Sequence, residues 1–113
     1  MINRIIIDNF ATIEHLSFDL TEGLNIITGE TGAGKSVLVE AISTALGGRA
    51  DISMVRTGTA KARIQIAGTL EGEDVIIIRE LMASGKSISK LNGEMVTLAQ
   101  LRKFCSAFVD IHG

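Results

Sequence analysis

Three features of the sequence predict an α/β fold, in which a strand–loop–helix unit joins a largely antiparallel β-meander. Residues 29–36 read GETGAGKS, between the apolar run Leu24-Asn25-Ile26-Ile27-Thr28 and the helical-looking run Val37-Leu38-Val39-Glu40-Ala41-Ile42. Short segments rich in isoleucine and valine, several with period-two alternation, lie on both sides of that unit. Tight-turn signals, Asn92-Gly93 the strongest, fold the second half back on itself.

The elements follow in chain order. Residues 3–10 form an isoleucine-rich strand, and 13–20 (IEHLSFDL) alternate well enough for a half-buried one. Thr21-Glu22-Gly23 turns the chain into 24–28, a short apolar run that ends at Gly29 as a buried strand feeding a loop does. A helix is expected over about 34–46, because Leu38, Ile42, Ala45 and Leu46 share one face with Val37 and Ala41 alongside. Gly47-Gly48 ends it, and residues 49–60 read as a loop. Strands return at 62–70 and 75–81, separated by the turn Glu71-Gly72-Glu73-Asp74. The turn Ala83-Ser84-Gly85-Lys86 leads into 87–91, and Asn92-Gly93 into 94–96. Thr97-Leu98-Ala99-Gln100 is a capping box, with Val96 and Leu101 placed as its hydrophobic staple. Leu98, Leu101, Cys105 and Phe108 give the next helix one apolar face, Phe104 beside it. Residues 108–111 read as the start of another strand.

The totals narrow the function classes. A chain of 113 residues allows one domain or a part of one. With 46% apolar and 21% charged residues the composition is globular rather than disordered. The net charge of −2 announces no nucleic-acid surface, and without Trp or Tyr the chain lacks the usual base-stacking platforms. A lone cysteine, Cys105, excludes an internal disulfide and fits a reducing cytoplasm. MINRIIIDNF is too short and too charged for a signal peptide's core, and the apolar runs fall below spanning length, so a soluble cytoplasmic protein without a membrane role is expected.

GETGAGKS fits the phosphate-loop pattern G-x-x-x-x-G-K-[ST], and its residue types match the chemistry of a bound triphosphate. Gly29, Gly32 and Gly34 let the backbone curl around Glu30, Thr31 and Ala33, so that successive amides point inward. The helix that follows adds its positive N-terminal end. Lys35 reaches the β- and γ-phosphates as a mobile charge, and the Ser36 hydroxyl is the candidate ligand for Mg²⁺. The plainer alternative is a glycine-rich turn between strand and helix, but a turn alone has no need of Lys35-Ser36.

Binding is not hydrolysis. Phosphoryl transfer also needs an acidic metal ligand and a group that positions water. Asp74 precedes its strand, Asp8 and Asp110 read as solvated or strand-end residues, and none of the three has a compelling second-carboxylate neighbour, so the chain offers half of a catalytic site. His15 and His112 stand at no metal-ligand spacing, and Cys105 fits its helix's apolar face better than a nucleophile's place.

Six stretches, the phosphate loop among them, carry a resemblance: I-x-N-F-A-x-I at the start, LNIITGETGAGKS, LGGRAD at 46–51, VRTG at 55–58, the hairpin LNGExV, and VDIHG at the end. Together they resemble the N-terminal part of the RecN family of bacterial DNA-repair proteins, in the structural-maintenance-of-chromosomes (SMC) group of ABC-type ATPases. The resemblance implies a P-loop NTPase of the ABC/SMC head type, residues 1–113 being the N-terminal part of the head. It implies ATP and Mg²⁺ as cofactors, and a coiled coil and C-terminal head segment beyond this sequence. It further implies a second head closing on two shared ATP molecules, and DNA, bound through the full-length protein near the nucleoid. The family's water-contacting glutamine follows a DIHG-like stretch, and the sequence given stops at Gly113. Arg56 lies in the loop where SMC-type heads carry an arginine near phosphates or DNA. It is equally a solvated loop arginine, and Arg49 is a weaker candidate.

Three functions remain open at this level: an ATP-binding lobe acting in double-strand-break repair, another SMC- or ABC-type head in chromosome organisation, and a non-hydrolysing nucleotide-dependent assembly module. The 113 residues alone are expected not to turn ATP over.

Overall fold

A computed structural model describes residues 2–19 and 32–110, with side chains described at 2–17, at 19 and from 37 to 106. The expected strand at 24–28 and the turn before it lie outside the described residues.

Six strands form one sheet: β1 (Ile2–Phe10), β2 (Ile13–Asp19), β3 (Lys61–Leu70), β4 (Glu73–Met82), β5 (Ser87–Leu91) and β6 (Glu94–Val96). Their order is β2-β1-β3-β4-β5-β6, and every pair among the described residues is antiparallel. The longest ladder joins β3 to β4, from Lys61 opposite Met82 to Leu70 opposite Glu73. Its turn is tighter than the sequence suggests: only Glu71 and Gly72 bridge the strands, both at positive φ, 52° and 81°. Asn92-Gly93 makes the same kind of turn, at φ 51° and 87°, as that dipeptide predicts. Asn92 also locks the turn to β4, taking the Ile76 amide on its side-chain oxygen at 2.7 Å.

Period-two alternation decides which face is covered. Ile5, Ile7, Ala62, Ile64, Ile66, Val75, Ile77 and Leu81 are buried, and their sequence neighbours are more exposed. Helix α1 (Gly32–Ala45) adds Leu38, Ala41 and Ala45 to this core, and α2 (Leu98–Asp110) adds Leu101 and Cys105. The opposite face carries charge. Asp8 of β1 meets His15 of β2 across one strand pair and Arg63 of β3 across the other. Glu80 of β4 then sits 3.4 Å from both Arg63 and Lys61. Opposite charges facing one another across strands suit a solvated face.

The helix ends differ from the sequence reading. Backbone helix starts at Gly32, two residues before the expected start. At the other end α2 runs to Asp110, so residues 108–110 of the strand expected at 108–111 are instead the last turn of a helix. A four-residue stretch with three apolar positions, Phe108, Val109 and Ile111, is too short to tell strand from helix, and no Gly or Pro interrupts the chain between Thr97 and Asp110. The capping box holds: Thr97 Oγ1 accepts from the Gln100 amide at 3.1 Å, and Gln100 Oε1 from the Thr97 amide at 2.9 Å.

Candidate functional site

The phosphate-loop residues Gly29, Glu30 and Thr31 lie outside the described residues. For Gly32, Ala33, Gly34, Lys35 and Ser36 the backbone alone is described, and it is the first turn of α1. This places the second half of the motif at a helix N-terminus, where the leading amides have no partner inside the helix and suit an anion.

The far end of α1 is held in unusual detail. Gly48 N donates to Ser43 O at 2.9 Å and Gly47 N to Thr44 O at 3.2 Å, the paired bonds of a Schellman turn. Gly47 sits at φ +104°, as the Gly47-Gly48 stop signal predicts. Two arginines from other elements also donate to carbonyls at this end. Arg79 Nη1, from β4, donates to Thr44 O at 2.8 Å and to Gly48 O at 3.3 Å. Arg102 Nε, from α2, donates to Gly47 O at 2.7 Å. Cations there also complement the negative end of the helix dipole.

Arg79 was not singled out by the sequence reading, which took VIIIREL as an ordinary strand. The signal available was a charged residue in phase with the buried positions Val75, Ile77 and Leu81. Its side chain is fully buried, and its Nε has no hydrogen-bond partner. Burial first, and then the nearby Arg102 guanidinium, pull its pKa below the usual arginine value.

Arg56 is a stitch between the loop and the first hairpin. Its Nη1 donates to Thr12 O at 3.0 Å, and its amide to Asn9 O at 2.9 Å. The Ala11 amide returns a bond to Met54 O at 2.7 Å, and Phe10 and Val55 form an isolated bridge. The stretch read as a plain loop, 49–60, therefore contains a short 3-10 turn, Ile52–Met54, capped by the Asp51 carboxylate. Arg49 is exposed.

The acidic residues do not converge. Asp8 is hydrogen-bonded to His15 on the charged face, and Asp74 is exposed opposite Thr69 at the start of β4, within the strand rather than before it. Asp110 ends α2, and His112 lies outside the described residues. No group of three His, Cys, Asp or Glu able to hold a metal occurs among the described residues. Cys105 is buried in the core, and burial raises its thiol to about 11. No helix of the described residues is long and apolar enough to cross a membrane.

The family described as AAA domain matches residues 4–107. The DNA repair protein RecN of Bacillus subtilis (strain 168) is 38% identical over 130 aligned positions, covering 100% of this chain and 23% of that protein. RecN of Vibrio cholerae is 36% identical with the same coverage, and RecN of Deinococcus radiodurans 35% identical over 98% of this chain and 20% of its own length. The chain thus spans about a quarter of the curated relatives it matches, at their N-terminal end. Among solved structures, one from work on ATP-driven dimerization and DNA-stimulated activation of SMC ATPases superposes with a TM-score of 0.79 at 21% identity, covering 94% of this chain and 78% of that one. The SMC head domain from Thermotoga maritima gives 0.71 at 20% identity, over 90% of this chain and 41% of that one. The recombination mediator RecF-ATPrS gives 0.75 at 19%, over 89% and 29%. These similarities establish the ABC/SMC-head P-loop fold expected from the sequence.

Proposed function

Since the chain belongs to the AAA-domain family and matches the N-terminal part of RecN proteins along its whole length, we propose that it is the ATP-binding N-terminal lobe of a RecN-like ATPase head acting in DNA double-strand-break repair. One observation carries this reading: GETGAGKS runs into a helix that begins at Gly32, on a sheet of SMC-head topology. The donor set fits Mg-ATP. The backbone of residues 29–34 supplies amides, Lys35 a cation for the β- and γ-phosphates, and Ser36 a hydroxyl for Mg²⁺. When bound, the magnesium nucleotide supplies the phosphoanhydride whose cleavage drives SMC-type heads. This chain's own part is to bind and orient the phosphates.

Hydrolysis takes groups from outside these 113 residues. The described carboxylates are dispersed, and none stands beside the first turn of α1 in a metal-holding cluster. The acidic strand and the signature sequence would come from a C-terminal head segment and from a second head across the nucleotide. DNA would be held by the full-length protein, in the bacterial cytoplasm at the nucleoid.

Isothermal titration of Mg-ATP into the chain and into Lys35→Ala tests the binding step. Lys35→Ala should abolish measurable binding while leaving the thermal unfolding midpoint unchanged within about 2 °C, since a residue kept for a phosphate contributes little to the fold and its loss should move stability by less than about 0.5 kcal/mol. Equal affinity in the two chains would remove the phosphate-loop reading. Rapid turnover by the 113 residues alone, lost in Lys35→Ala, would contradict the half-site argument.

A further inference from the structure

We propose that Arg79 is a positioning residue for the nucleotide site: it pins the C-terminal end of α1 to the sheet and so sets where the amides at the other end stand. The inference rests on the ATP-binding reading above. It starts from the way α1 is seated. The helix meets the sheet through Leu38 and the small side chains of Ala41 and Ala45. Such contact is strong but non-directional, and alanines offer little to stop a helix sliding or tilting. The Thr44 hydroxyl is committed within the helix, donating to Glu40 O at 2.8 Å. Two directional bonds from the sheet to the end of α1 come from Arg79, which grips Thr44 O and Gly48 O on either side of the terminal turn.

The two carbonyl bonds offset only part of the cost of burying an arginine there. Arg79 shares its cross-sheet row with Ile64 and Ser89, beneath the helices, and is fully buried. No carboxylate among the described residues pairs with it, and its Nε makes no hydrogen bond. A methionine of similar length would fill the position without burying an uncompensated cation. What an apolar residue cannot do is choose one seat for the helix. The lever is long: fourteen residues span about 21 Å, so a tilt of about 5° at the anchored end moves the first turn by about 2 Å. Amide–phosphate bonds weaken beyond about 3.2 Å, so that displacement removes them.

The test compares Arg79→Met, Arg79→Lys and Ile77→Val, the last a buried neighbour on the same strand and face that lowers stability without touching α1's carbonyls. Mg-ATP affinity is measured by titration on the chain at a temperature where each variant is folded, and α1 amide hydrogen exchange is followed without nucleotide. Arg79→Met should bind at least about tenfold more weakly and exchange faster along the hydrogen-bonded amides of α1. Arg79→Lys, which keeps one donor, should recover part of the affinity, and Ile77→Val should stay within about twofold of the unmodified chain. A folded Arg79→Met that binds within about twofold would overturn the proposal, as would an Ile77→Val that loses as much. If Arg79→Met does not fold, Arg79→Lys decides by the same measures, and unaltered affinity and protection in it count against the proposal. If the unmodified chain binds no Mg-ATP, the ATP-binding reading is the one that fails. Exchange then decides about Arg79: unchanged α1 protection sinks it, and loosening confined to Arg79 variants sustains the anchor.

Discussion

Replacing Gly47 by alanine separates two costs that usually arrive together. Gly47 sits at φ +104°, and a Cβ built on it would stand 2.7 Å from Arg102 Cγ. Gly85, in the β4–β5 turn, has the same φ of +104° and nothing within 4 Å of the corresponding position. Both substitutions force an L side chain into left-handed backbone, at about 1–2 kcal/mol. Gly47→Ala must in addition push Arg102 aside and break the 2.7 Å bond from its Nε to Gly47 O. That bond is worth about 1.5 kcal/mol, the low end for a charged donor, because Arg102 is largely exposed. Gly85→Ala should therefore lower stability by about 1–2 kcal/mol and Gly47→Ala by about 3. For a domain of this size these correspond to midpoint shifts of about 5–10 °C and about 15 °C. Urea and thermal unfolding followed by far-UV circular dichroism would resolve them. In an Arg102→Ala background the cost of Gly47→Ala should fall to that of Gly85→Ala, since the crowding partner is gone. If the two glycine substitutions cost the same to within about 0.5 kcal/mol in the unmodified background, the Arg102 contact does not hold α1's end and the reasoning fails.

Three further outcomes are expected. Thr97→Ala removes the acceptor for the Gln100 amide and should cost about 1 kcal/mol, seen as a lower urea midpoint at unchanged slope, with Thr97→Ser nearly neutral. Burial raises the Cys105 thiol from its ordinary 9.0 to about 11, so the fold favours the protonated form. The stability this contributes is intact below pH 9, declines above it, and is lost as pH rises through about 11, and an unfolding titration of the chain against Cys105→Ala should show the difference. At pH 8 a thiol reagent should label Cys105 at the rate of unfolding rather than of free cysteine.

Local patterns were legible and long-range partners were not. Asn92-Gly93, the capping box at Thr97 and the Gly47-Gly48 stop all appear as written, because each is a backbone requirement met by residues a few positions apart. The strands from Lys61 onward fall within two residues of their expected ends, since alternation marks the covered face. Residues 108–111 were misread because three apolar residues in a stretch of four carry no period of their own. The phosphate loop was readable as chemistry, and its link to α1 appears in the helix that starts at Gly32. Arg79 was hidden for a different reason. Its partners, Thr44 and Gly48, are backbone carbonyls more than thirty positions away, and no side-chain pattern announces a carbonyl. The same holds for Arg56, whose grip on Thr12 O depends on the first hairpin lying against its loop.

The strand order has a kinetic consequence. β3 to β6 are joined by short turns, so their ladders close small loops and can form early. β1 instead pairs with β3 across a long excursion, Ile5 opposite Ile66, and that excursion contains the whole of GETGAGKS and α1. Closing it carries a larger entropic cost before any contact rewards it. GETGAGKS and α1 are thus enclosed by the strand pairing expected to close last. Rate measurements should find Ile77→Val slowing folding and Ile5→Val chiefly speeding unfolding. On a ribosome the order of synthesis runs the other way: the phosphate loop emerges first and waits for the meander that will seat it.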